Sequence, residues 1–428
     1  MSVTAITGNG SGNPRIVVLG GGFGGLEAAF YLRRRLGRRA ELTLVSNRDE
    51  FLFKPNTIYI PFGQEPDTLV FPLAPTLDRR QIHFVRGEAQ GVDPGRRLVK
   101  TSAGELPYDQ LVVATGATTR PEEIEGLSAH ANTVWTPEEM LHLRASLSRL
   151  LADARGGRKQ KVLFLVPPNN KCSGPLYEIA LMLDSWLRRR KAREGAEIAY
   201  ATYEAGYIQA FGPRLHELVK GEFERRGITG HTGLRISSVA SHEARFEGGN
   251  LLPFDLLVSF PPHAAAVRYE GLPSDERGFL RTDLETRQVV GHENVFAVGD
   301  AGDFPVKQAF LALLQADAVA ERIAQRLLGE QPSAHFDPVS LCILEQFDQA
   351  TFAQVPLRLT GNPDQPVEVQ ERNHERYKVG SGEVWRAGKK ILGMAIPGRF
   401  RHGQPFHAGA AWAVLEGGVK AMSSLFAD

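Results

Sequence analysis

The stretch RIVVLGGGFGGLEAAFYLRRRL (Arg15 to Leu36) limits what this chain can fold into more than any other. An apolar run, a glycine-rich turn and an amphipathic run follow one another, and AELTLVS then supplies a second apolar run. This is the strand, turn, helix and strand of a dinucleotide-binding unit. Gly20 permits the tight turn, Gly22 lets the backbone approach a pyrophosphate, and Gly25 lets helix pack closely on strand. The helix N-terminus offers unpaired N–H groups to the anion. The second strand ends in Ser46 and Asn47 rather than in Asp or Glu, so a ribose contact there is a neutral hydrogen bond or comes from elsewhere.

The chain has 428 residues, 42% hydrophobic and 23% charged, enough to fill the cores of two or three domains. A formal net charge of +1 leaves no footprint for nucleic acid. The basic runs at Arg33 to Arg39 and Arg188 to Arg193 read as solvated helix ends. MSVTAITGNGSGNP lacks the apolar core of a signal peptide, and no stretch has the length of a membrane span, so the default expectation is a cytoplasmic location. The two cysteines, Cys172 and Cys342, make neither a secreted disulfide framework nor a zinc site, and without CxxCH there is no c-type haem. The 12 histidines show no ligand spacing, and no metal is assigned.

Two later segments bear on the cofactor. YDQLVVATGA (Tyr108 to Ala117) and HENVFAVGDAGDF (His292 to Phe304) each read as a buried strand ending in a small-residue turn. With the glycine turn they resemble flavoproteins that carry two dinucleotide-binding domains. The resemblance implies FAD, with Thr115 and Gly116 where the chain leaves the FAD domain. It also implies that, in the motif of Gly299 and Asp300, the carboxylate of Asp300 accepts hydrogen bonds from the ribityl chain. The helix that follows would point its N-terminus at the flavin, and Lys307 would help it stabilise negative charge there.

That framework makes KVLFLVPPNNKCSGPLYEIALMLDSWLRRR (Lys161 to Arg190) the second nucleotide-binding unit, but with the wrong turn. Pro167 and Pro168 lack N–H donors, Asn169, Asn170 and Lys171 crowd the place of a pyrophosphate, and only Gly174 remains. Cys172 precedes the helix, where the dipole and Lys171 favour thiolate. A lone cysteine at a helix start is more often packing than chemistry.

The segments KCSGPLYE, SLCILEQFDQATFAQVP and FLFKPNTIYIPFG resemble those of sulfide:quinone oxidoreductases, from about Arg15 to Pro356. The resemblance implies a redox pair of Cys172 and Cys342 beside the flavin, with Glu178 in proton transfer. Pro55 and Asn56 would lie along the isoalloxazine ring. A solvated helix carboxylate accounts for Glu178 equally well. Many members have a further cysteine where this chain has Trp135, which argues for FAD held without a covalent bond. The implied chemistry is attack of hydrosulfide on a Cys172–Cys342 disulfide or polysulfide bridge, with Cys342 nearer the flavin and Cys172 carrying the sulfane sulfur. Quinone would be the acceptor.

FHAGAAWAVLEGGVKAMSSLF sets Trp412, Leu415, Val419, Met422 and Phe426 on one helical face, as in a monotopic membrane helix. A surface helix docked on its own domain fits equally. The expectation is therefore an α/β chain with two Rossmann-like domains and a C-terminal quinone- and membrane-facing region at residues 331–428. The FAD domain would be discontinuous, at 15–118 and 271–330, and the second domain, at 119–270, would lack its nucleotide motif. Sulfide, quinone and a peripheral membrane surface at the cytoplasmic face are the expected partners, without nucleic acid; homo-oligomerisation stays open. The alternatives are a type II NADH:quinone oxidoreductase, which needs an intact second glycine motif, and a flavin-binding redox sensor without turnover. A sulfide dehydrogenase that passes electrons to a cytochrome would need an export signal.

Overall fold

The computed structural model describes residues 12–362 and 367–427; residues 1–11, the start of the stretch read for a leader, lie outside these. The apolar runs become central strands because helices cover both faces of the sheets they form. The first sheet is wholly parallel, in the order Val295–Ala297, Gln110–Val113, Arg15–Leu19, Glu41–Ser46 and His83–Arg86. It is thus built from two separated segments of the chain. The second sheet, also parallel, runs Ala131–Thr133, Leu256–Ser259, Gln160–Val166, Ala196–Thr202 and Ile228–His231. In each sheet the strand order reverses at the strand that feeds the critical turn, Arg15–Leu19 or Gln160–Val166. Such a reversal opens a crevice outside the carboxyl ends of the strands.

A third, antiparallel sheet pairs Val339–Glu345 with Ala350–Leu359, which is flanked in turn by Val367–Val369 and Lys378–Gly382. One side chain joins its first hairpin to the second Rossmann-like unit. Arg226, on helix Gly212–Arg226, is 1% exposed. It donates to Asp184 (3.0 Å) and Ser185 (2.7 Å) on helix Gly174–Arg189 and to Gln346 (2.9 Å) and Asp348 (2.8 Å) in the hairpin. Asp184 is itself fully buried and shared with Arg188 and Arg193. A guanidinium with this many acceptors is a strong and directional tie.

Among the described residues, no helix is long and apolar enough to cross a membrane. The last helix, Ala410–Phe426, bears on the two readings left open for it: much of its apolar stripe lies against the protein. Trp412 and Leu415 pack on the core of the first Rossmann-like unit and Met422 on the cluster around Trp385. The reason is local. The Trp412 ring finds aromatic neighbours in Phe406 (4.9 Å) and His407 (4.5 Å), so docking covers the largest apolar side chain. Just upstream, Glu27 accepts the N–H groups of Phe406 (2.6 Å) and His407 (3.1 Å), and His407 Nδ1 meets Asp317 at 2.5 Å. What stays exposed is Val414, Leu425 and Phe426.

Removing Arg226 leaves Asp184 and Asp348 short of a buried cation. Arg226→Ala is expected to cost about 3–5 kcal/mol, read as an earlier urea midpoint by tryptophan fluorescence. An unchanged midpoint would show that the tie is redundant.

Candidate functional site

The carboxyl ends of both central strands open on one cavity of about 2080 Å³. That is more than a single small ligand needs. On the first side its wall includes Gly20, Gly22, Ser46, Asn47, Pro55 and Asn56. Thr115, Gly116, Gly299, Asp300 and Lys307 continue it, and Cys172, Glu178 and Cys342 complete the opposite side. Gly25 lies behind the wall. A Cβ on it would fall 1.9 Å from the Gly20 carbonyl, so helix Phe23–Leu36 can dock this closely only with glycine there. A Cβ on Gly22 would meet nothing within 4 Å and would project into free space. The helix has no acidic residue in its first turn and no side-chain cap, so its N–H groups are available to an anion. The wall therefore fits a dinucleotide pyrophosphate. Beyond it, burial raises the carboxyl of Asp300 while Lys307 and Lys54 pull it back down. Lys307 donates to the Gly302 carbonyl, and burial lowers it to about 8.

In the matching turn of the second unit several donors are missing or already used. Pro167 and Pro168 have none, and Asn169 takes the left-handed conformation (φ 65°). The N–H of Asn170 donates to Pro167 (3.3 Å), that of Lys171 to His263 Nδ1 (3.4 Å), and that of Cys172 to the Asn170 side chain (2.9 Å). Nor is the acid at the end of the next strand available to a ribose. Glu204 is buried and accepts from Thr202 (3.0 Å), the Gln209 amide (3.0 Å), Tyr177 (3.3 Å) and Ser173 (3.4 Å). The turn thus lacks the glycine fingerprint of a pyrophosphate cradle, and its acid is engaged within the protein.

Both cysteines are half-buried free thiols on the cavity wall. Cys342, on strand Val339–Glu345, sets its Sγ against Gly174, two residues beyond Cys172. The expectation that the helix dipole and Lys171 lower the Cys172 thiol is not met. Burial pushes that thiol up, Asp300 and Cys342 push it further, and the cation opposing them is Lys54. Burial likewise raises Cys342 to about 12, with Glu178 adding and Lys389 opposing. Desolvation of a sulfur anion outweighs one nearby charge.

Two lysines escaped the sequence reading. Lys54 sits 3.0 Å from the centroid of the Trp135 ring, and burial lowers it to about 7. The KPN segment was noted only for its backbone, so the side chain went unread. Lys389 pairs with Glu178 and also donates to the Ile343 carbonyl (2.8 Å). It lies in helix Glu383–Arg401, where no motif marks it. Glu178 accepts the Glu345 N–H at 2.7 Å, which stitches the strand bearing Cys342 to the helix that follows Cys172. Glu178 is thus a buried, paired carboxylate held above its usual range by burial, and not a solvated one.

The family model described as pyridine nucleotide-disulphide oxidoreductase matches residues 14–162. A sulfide-quinone reductase of Aquifex aeolicus is 30% identical over 244 residues, 55% of this chain and 54% of that protein, so the match spans about half the relative's length. A demethylphylloquinone reductase of Synechocystis is 27% identical over 380 residues, covering 81% and 88%. In structure, the sulfide:quinone oxidoreductase from Aquifex aeolicus superposes with a TM-score of 0.84 at 24% identity, covering 95% of this chain and 96% of that one. With a cradle for one dinucleotide and an altered second turn, the chain has the fold of the sulfide:quinone oxidoreductase from Aquifex aeolicus and is similar in sequence to a sulfide-quinone reductase over about half its length.

Proposed function

We propose that the protein oxidises sulfide to sulfane sulfur and passes the electrons through FAD to a quinone. One observation carries the reading: two thiols from distant segments share a cavity with a dinucleotide cradle, while the turn beside them carries Pro167 and Pro168 and keeps only Gly174 of a glycine motif. In the oxidised pair, hydrosulfide attacks Sγ of Cys172; the bond to Cys342 breaks, Cys342 leaves as thiolate, and Cys172 keeps a persulfide. Joining these two groups as a bridging trisulfide releases two electrons and one proton. FAD, when bound, supplies the two-electron acceptor that this step requires. Glu178, charge-coupled to Cys342 and paired with Lys389, is the group placed to take the proton.

Gly20, Gly22 and Gly25 would hold the pyrophosphate. Ser46 and Asn47 would meet the ribose, Pro55, Asn56, Thr115 and Gly116 the ring, and Gly299 and Asp300 the ribityl chain. Lys307 would stand against the charge of the reduced ring. Because Trp135 replaces the thiol that would tether the ring, the flavin is held without a covalent bond. The C-terminal region, with exposed apolar residues on both of its helices, supports a peripheral membrane surface from which quinone reaches the ring.

The deciding measurement is anaerobic rapid mixing of the FAD-loaded protein with each donor. Sulfide is expected to bleach the flavin, and NADH is expected to be slower by several powers of ten for want of an anchor that positions it. Bleaching by NADH alone would return the protein to the NADH:quinone class, and bleaching by neither would indicate a sensor. Cys172→Ser and Cys342→Ser should each abolish sulfide turnover while the flavin spectrum persists; full activity in either would exclude the thiol pair. Acid precipitation should release all FAD to the supernatant, and yellow colour left in the pellet would mean a covalent link.

A further inference from the structure

A group of arginines beside the C-terminal helices takes no part in the chemistry above. The chain as a whole is balanced, with 50 basic and 49 acidic residues, yet this group is not. Arg38 donates to the Gln81 side chain, and Arg39 to the Leu36 carbonyl. Arg79 reaches the carbonyl of Arg401 (3.0 Å), and Arg80 that of His402 (3.0 Å). Arg34 lies beside Gly409, the residue that opens the last helix. Each of these partners is neutral. Their neighbour Arg35 shows the contrast, since it is paired with both Glu321 and Glu330. Among the described residues, Arg34, Arg38, Arg39, Arg79, Arg80 and Arg401 form no ion pair, and the exposed acids Glu41 and Asp78 adjoin them in sequence.

The same surface continues into exposed apolar side chains. On helix Glu383–Arg401, Ile391 (47% exposed) and Met394 (69%) precede Arg401, which lies two turns beyond Met394 on the same face. On the neighbouring last helix, Val414 (76%) and Leu425 (75%) are exposed, and its Met422 packs against Gly388 of the first. The unpaired cations therefore fringe the carboxyl end of one apolar helix and the amino end of the next.

We infer that this arginine fringe binds the phosphates of anionic phospholipids, so that the protein docks selectively on negatively charged membrane. The inference rests on the membrane-facing reading of the C-terminal helices and deepens it. Guanidinium groups held by neutral carbonyls keep their full charge and spare donors for phosphate oxygens. An apolar face beside a basic rim is the arrangement that inserts at the headgroup boundary. Nucleic acid would engage the cations but has no use for exposed Met394 and Leu425.

Flotation of the full-length, FAD-loaded protein tests this on vesicles of phosphatidylcholine alone and with added phosphatidylglycerol. The wild type is expected to partition at least about tenfold more strongly onto the anionic vesicles, and salt should erase the difference. Arg34→Gln/Arg38→Gln/Arg39→Gln/Arg401→Gln should lose the preference yet still float with neutral vesicles, with an unchanged flavin spectrum. Val414→Ser/Leu425→Ser should weaken binding to both. Equal, salt-independent binding of the wild type to both vesicles would overturn the lipid preference while leaving the membrane reading intact. No flotation with either would overturn both. Retention of duplex DNA by the wild type, without any lipid preference, would assign the fringe to nucleic acid instead. The salt dependence of the wild type decides the matter even if the quadruple variant does not fold.

Discussion

One buried guanidinium ties together the two elements that lead to the cysteines. Cys172 lies in the turn after a strand of the second sheet and Cys342 on a strand of the third, and nothing covalent holds them near each other. Arg226 fastens helix Gly174–Arg189, which begins two residues after Cys172, to the hairpin that closes the strand bearing Cys342. The bond from the Glu345 N–H to Glu178 repeats the tie one layer closer to the cavity. A disulfide needs Cβ atoms about 4 Å apart, a tolerance that loose packing of two layers would not keep. Ionic ties between buried groups are directional, so they fix register where apolar contacts alone would allow sliding.

The elements legible in the sequence were those whose chemistry is local. Gly20 and Gly25 announce their turn because no other residue fits a backbone approach of this kind, and the missing glycines of the second turn announce its loss just as directly. The α/β class and the split first unit follow from the order of such signals. Properties that depend on what the chain brings from elsewhere were misread or missed. Lys171 is next to Cys172 in sequence, but Lys54 is the cation that acts on it in space. Lys389 meets Glu178 from another helix, and neither stretch of sequence hints at the other. The last helix was read from its periodicity, which reveals a stripe but not whether lipid or protein covers it.

The two nucleotide-binding units apply one geometry to opposite ends. In the first, the helix start is left bare, without acid or cap, and its amides face open space. In the second, the amides of Lys171 and Cys172 are taken by His263, on another strand, and by the Asn170 side chain. The result is a stiff turn that carries a thiol where a flexible one would have carried phosphate.

Glu204 bears on attempts to re-engineer the scaffold. Grafting nicotinamide dependence onto it looks like a matter of exchanging one loop for a glycine-rich one. Yet the carboxylate that such a graft would recruit for the ribose already serves as a hub for Ser173, Tyr177, Thr202 and the Gln209 amide. Turning it outward would leave the buried hydroxyls of Tyr177 and Thr202 without this acceptor, at a cost of about 1–3 kcal/mol for each one left unmade. Loop and acid would have to be redesigned together with the packing beneath them, so a stepwise route between the two cofactor habits passes through unstable intermediates.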